Sequence, residues 1–176
     1  MFSMLNFLAQ SNYLSHTGEP GWIMLEHNLL KIVSCQSKGT FDIFSENQTA
    51  VLGHARHIHS LVTRELHVYE AHSEAFIFQI KWHTLLTTKV EILDSNHCRV
   101  GWFRDRNLYH PTGKIWAHRN TFSKFHHQWL SNGSNLIADL NFDPPGWILK
   151  FTNRPVNPFA SMNILGNALW LITTQA

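Results

Sequence analysis

The chain has 176 residues, 44% of them hydrophobic and 15% charged, and a formal charge of +2. That is enough apolar chain for one domain with a proper core, and it excludes a disordered polymer. A charge so near neutrality gives nucleic acid no electrostatic hold, so nucleic acid is not an expected partner.

Histidine, with 13 copies, is the outlier in composition. Protonation of these side chains below about pH 6.5 makes the surface more basic. Cys35 and Cys98 are far apart and form no Cys-x-x-Cys pair. They supply neither a disulfide scaffold nor a zinc motif, and a reducing compartment with buried structural thiols is the simplest reading.

Residues 1–20 read as a lead-in. Met1 to Gln10 has no basic leader and is too short an apolar stretch for a secretory signal. No apolar run reaches the eighteen or so residues that a membrane-spanning helix needs. Gly18-Glu19-Pro20-Gly21 is a turn, and Trp22 to Val33 supplies the first strands. A hairpin pattern then repeats: alternating apolar residues, a polar turn, more alternation. It occurs at Thr40–Gln48, Leu66–Phe78, Lys89–Val100 and Gln128–Leu140. Phe76, Phe78, Ile80 and Trp82 share one face of a strand, and Val90 and Ile92 one face of the next. Gly101 marks a bulge or a close approach within Val100–Arg104. His110-Pro111-Thr112-Gly113 and Asp143-Pro144-Pro145-Gly146 are turns, and Trp147–Phe151 is the last strand. Strands at such regular spacing predict an all-β sandwich or barrel.

The tail differs. Asn157-Pro158 suits a helix N-cap followed by its first residue, and residues 157–174 are apolar nearly all round. A helix buried on every side after so many strands predicts a barrel threaded by its own C-terminal segment. Asn163 and Asn167, one turn apart, then need partners inside.

From Thr40 to Ala176 the chain resembles the superfamily that joins the tubby C-terminal domain, the phospholipid scramblases and the LURP-one-related proteins. The resemblance rests on the hairpins Leu66–Ser73 and Val90–Asn96, on Gly113-Lys114-Ile115-Trp116 through Trp129, and on the apolar terminal helix. It implies one domain over 1–176: a mainly β fold, a twelve-stranded antiparallel barrel enclosing the helix. It also implies a non-enzymatic, membrane-associated module that binds phospholipid or phosphoinositide, cytoplasmic and peripheral on a membrane. Scramblases carry an acidic calcium-binding segment before the terminal helix. Its counterpart here, Asp139-Leu140-Asn141-Phe142-Asp143, has two carboxylates against the six or more oxygen ligands that calcium takes, so no cofactor is expected.

The residues themselves offer two candidate sites. Arg99, Arg104, Arg106, Lys114, Arg119 and Lys124 are interleaved with aromatics including Trp102 and Trp116, a mixture that suits an anionic membrane surface. His57 and His59 point the same way along a strand and suit a metal, completed by His67 or His72; Asp139 and Asp143 are metal candidates only as the counterpart that the scramblase resemblance implies. No catalytic constellation stands out, since Cys98 has only its sequence neighbour His97 as a base. Two other functions fit a barrel: a small-molecule binder or enzyme of lipocalin type, if the interior is free, and a protein partner or self-assembly through exposed aromatics.

Overall fold

The computed structural model describes residues 23–35, 39–47, 50–59, 62–83, 89–153 and 157–175. The lead-in over residues 1–20 and the Gly18-Glu19-Pro20-Gly21 turn lie outside them. A 3-10 turn, Ile23–Glu26, precedes β1 (Leu29–Ser34), β2 (Thr40–Phe44), β3 (Val51–His59), β4 (Thr63–Glu70), β5 (Phe76–His83) and β6 (Lys89–Asp94). Then come β7 (Arg99–Arg104), β8 (Asn107–Tyr109), β9 (Ile115–Ser123), β10 (His126–Ser131), β11 (Leu136–Asp143), β12 (Gly146–Phe151) and the helix α1 (Pro158–Gln175). Every strand pairs antiparallel with its neighbours in sequence, and β1 closes on β12 with Leu30 opposite Leu149 and Ile32 opposite Trp147. The twelve strands therefore form a closed up-and-down barrel, which removes the exposed sheet edge.

Alternation decides the two surfaces of the wall. Leu30, Ile32, Ile43, Ala55, Leu66, Val68, Phe78, Ile80, Ile92, Phe103, Leu140 and Leu149 are buried in the core. The intervening positions carry Glu65, His67, Lys81, Glu91, His126 and Asp139, which form ion pairs and histidine–carboxylate hydrogen bonds on the outside. Such a wall is the reverse of a membrane-spanning barrel, whose outward positions form an apolar band.

α1 fills the interior. Met162, Ile164, Leu165, Ala168 and Leu169 are almost wholly buried, and the helix packs against β5, β6 and β7. Asn157 caps it, its Oδ1 accepting the Phe159 backbone N–H at 2.9 Å, with Pro158 as first residue. Gly101 proves to be a close approach, because a Cβ there would overlap the Asn163 amide. Asn163 Nδ2 donates to the Val100 carbonyl at 3.2 Å and to Phe159 at 2.7 Å. Asn167 Oδ1 accepts from Arg119 Nη1 at 3.2 Å and from Trp129 Nε1 at 3.0 Å. The two asparagines thus key an otherwise featureless apolar helix to particular strands.

Two local expectations need correction. Trp22–Val33 does not supply several strands: its described part is the 3-10 turn followed by β1. The three-residue β8 has no counterpart in the sequence reading, because three residues are too few to show alternation.

An up-and-down meander sends successive connections to alternate ends. One end, here called basal, holds the β2–β3, β4–β5, β6–β7, β8–β9 and β10–β11 turns and the start of α1. The other, apical, holds the remaining turns and the last turn of α1.

Candidate functional site at the apical end

The two ends differ in chemistry. Among the described residues, the apical connections and adjoining strand residues carry Arg64, Lys89, Arg104, Arg106 and Lys124 against Asp105 and Asp143. The basal ones carry Glu46, Glu70, Glu74 and Asp94 against Arg99, Lys114 and Lys150. Among the described residues, six large hydrophobic residues are exposed, and all but Ile115 are apical: Ile58, Val62, Phe122, Phe125 and Phe142. Val62 and Phe122, at 61% and 62% exposure, are no more covered than ordinary surface polar residues. Lys124 lies 4.7 Å above the Phe125 ring, and Phe122 stacks on His126 with ring centroids 4.9 Å apart. Phe125, Phe142 and Trp147 pack against one another at the rim. With Phe41, Lys124, Ile172 and Gln175 they line a cleft of about 220 Å³ beside the last turn of α1.

The eight residues of the basic and aromatic stretch do not share one surface. Arg104, Arg106 and Lys124 are exposed at the apical end. Arg99 and Lys114 are basal; Arg99 is held by Glu91 at 3.3 Å and by the Pro111 carbonyl. Trp102 lies on the outer wall, stacked on Tyr109 at 3.7 Å with Lys89 above it at 5.0 Å. Trp116 is half-buried on the wall beside a basal cleft of about 480 Å³ that Ala160 of α1 also lines.

Arg119 points inward. It is 9% exposed and, among the described residues, meets no carboxylate, only neutral acceptors: Asn167 Oδ1 and, through Nη2, the Asp105 carbonyl at 3.2 Å. Burial, with Arg106 nearby, lowers its pKa to about 10.

His57 and His59 share the inward face at the apical rim, their rings stacked at 5.3 Å. Their cross-strand partners are Leu66 and Arg64, whereas His67 lies outside beside Glu65 and His72 sits in a basal turn. Burial, His59 and Arg64 together push the His57 pKa down. Asp139 is held by His126 at 2.9 Å and by the Asn141 amide, and Asp143 is four residues further along β11. Among the described residues, no three His, Cys, Asp or Glu side chains gather as a metal site. His127, inward on β10, meets Thr121 and Gln175, and burial followed by Arg119 lowers its pKa. Of the two cysteines expected to be buried, Cys98 is exposed in the β6–β7 turn, and Cys35 is partly exposed.

Sequence reasoning passed over Ile58, Val62, Arg64, Phe122, Phe125 and Phe142. The signal that finds them is parity: in a meander, alternate turns share an end.

These features define the chain as an up-and-down β-barrel plugged by its own helix, with one basic, apolar end. No protein-family profile matches the chain, and no curated protein matches its sequence. Among solved structures, an Arabidopsis thaliana protein, AT5G01750, is similar in fold, with a TM-score of 0.64 over 84% of this chain and 91% of that one. Identity is 9%, so the likeness is one of fold. Among the described residues, no helix is long and apolar enough to cross a membrane.

Proposed function

We propose that this protein is a membrane-surface module that docks its apical end on anionic phospholipid, phosphoinositides included, in the manner of the tubby- and scramblase-like barrels it resembles. One observation carries the reading: exposed apolar side chains and surplus cations occupy the same end. Each Lys or Arg near an anionic leaflet contributes about 1 kcal/mol, while Phe122, Phe125 and their neighbours enter at headgroup level. The charged outer wall favours end-on contact over insertion of the whole barrel. A lipocalin-type ligand site is disfavoured because α1 occupies the space along the barrel axis.

The test is co-sedimentation with neutral and anionic vesicles at low and physiological salt, with and without calcium. Salt-sensitive binding to anionic vesicles alone is the expected result. Equal binding to both vesicle types, or none to either, overturns the proposal.

A further inference from the structure

The basal end of the barrel is closed by a repeated device. In each of the five basal hairpins the register shifts by one residue, and the extra residue is apolar: Leu52, Ile77, Val100, Trp116 and Ile137. A bulge of this kind bends its strand and re-aims the side chain it adds. Ile77, Val100 and Ile137 are buried, and Leu52 and Trp116 pack against the core. Four of the five are aliphatic, which is all that covering the end of a core requires. Trp116 is the exception. It lines the basal cleft with Ile137, Ser131, Asn135, Asn153 and Ala160.

At about 480 Å³ this cleft has more than twice the volume of the apical one. It falls within the roughly 300–1,000 Å³ of small-molecule sites, which the apical cleft does not reach. Backbone contacts set where its polar groups stand. Asn153 Nδ2 donates to the Leu136 carbonyl at 2.7 Å, which leaves Oδ1 to accept. Ser131 Oγ accepts the Asn135 backbone N–H at 3.3 Å and keeps its own hydrogen to donate. The turn that carries Asn135 is closed by the Ser131 N–H on the Asn135 carbonyl at 2.9 Å. The Asn132 amide pins the same turn to β9 by donating to the Ile115 carbonyl at 2.6 Å. Among the described residues, no protein group holds the Asn135 amide or the Trp116 indole N–H.

Among the described residues that line the cleft none is charged, so a neutral occupant enters at least cost. Amides and hydroxyls between them donate and accept, and they match a ligand whose own groups do both. The indole adds a flat apolar wall with a donor on its edge. A pyranose ring combines these properties, with C–H groups on its faces and hydroxyls around its rim. We infer that the basal cleft binds a single neutral pyranose ring, with Trp116 against one face and Ser131, Asn135 and Asn153 on its hydroxyls. The site lies at the opposite end from the proposed membrane contact and does not depend on it.

The experiment is saturation-transfer NMR on the folded protein with methyl glycosides of glucose, galactose, mannose and N-acetylglucosamine, against glucose 6-phosphate and adenosine. At least one methyl glycoside should bind saturably, with a millimolar Kd, and more tightly than either control. Trp116→Leu, which copies the aliphatic residue of the other four hairpins, should weaken that glycoside about 10-fold. Asn135→Ala, in an exposed turn, should weaken it about 3–10-fold with Tm unchanged. Trp102→Leu, on the outer wall against Tyr109, should leave its affinity as it was. Absence of saturable binding by every glycoside, tightest binding by glucose 6-phosphate or adenosine, or equal losses from Trp116→Leu and Trp102→Leu overturns the inference.

Discussion

The two ends of the barrel are made by the same device, short turns between antiparallel strands, yet they carry opposite surfaces. At the basal end the turns are acidic and well tied: Glu74 pairs with Arg56, the Asp94 carboxylate accepts two backbone N–H groups, and Ser73 is bonded to Glu70. At the apical end cations outnumber carboxylates, and aromatic side chains stand in solvent. A soluble barrel needs only the first kind of end. Keeping Phe122 and Phe125 exposed beside Lys124 contributes little to stability, and it is this exposure that the proposed membrane contact would use. The ends also match the helix between them, whose N-terminus lies among the acidic turns and whose C-terminus lies among the basic ones, as the helix dipole favours.

The most drastic way to break the comparison is to remove what holds both ends on one frame. Leu165→Asp or Leu169→Asp places an unpaired charge at a position with 0% exposure and should cost more than about 4 kcal/mol. Circular dichroism should show no cooperative unfolding transition; a folded variant contradicts the plugged barrel. Next in size is the contrast between ends. Arg104→Ala, Arg106→Ala and Lys124→Ala together should weaken binding to anionic vesicles on the order of 100-fold, with Tm little changed. Arg99→Ala with Lys114→Ala should leave vesicle binding as it was. Equal losses from the two sets deny the apical end its role.

Gly101→Ala tests the frame more gently. Its new methyl meets the Asn163 amide, and overpacking of this kind should cost about 1–3 kcal/mol in chemical denaturation. Acid is the mildest probe. His57 and His127 have folded pKa values below the ordinary 6.5, so the unfolded chain takes up protons first as pH falls. Tm should be flat above about pH 7 and decline below about 6.5, and His127→Asn should remove part of that decline. Glu65 adds a second loss at lower pH: burial raises its pKa, but hydrogen bonds from His67 and Lys81 outweigh that and leave it below the usual 4.5. Its stabilisation is lost as pH falls from there through the folded value.

Much of the fold could be read from residue order because each strand announces itself locally. The alternation of Phe76 to Trp82 and the Asn157-Pro158 cap are one-dimensional signals, and β5 and α1 fall where they indicate. The grouping of site residues is different in kind. Arg99 and Arg104 lie five positions apart but at opposite ends of β7, and Arg119 lies between surface cations while its side chain enters the core. Nearness in sequence is a poor guide to nearness in a meander, where each strand carries the chain the full length of the barrel. Closure of β1 on β12 was likewise invisible locally, since it pairs segments more than a hundred residues apart.

The position of α1 in chain order has a consequence for biogenesis. All twelve strands are synthesised before the segment they enclose. Until that segment emerges, Leu66, Ile80, Ile92 and Leu140 line a wall with nothing in its middle, and the strands can pair only provisionally. Final closure therefore waits on an element made after all twelve strands, a long-range condensation of the kind that slows folding and prolongs the exposure of sticky surfaces.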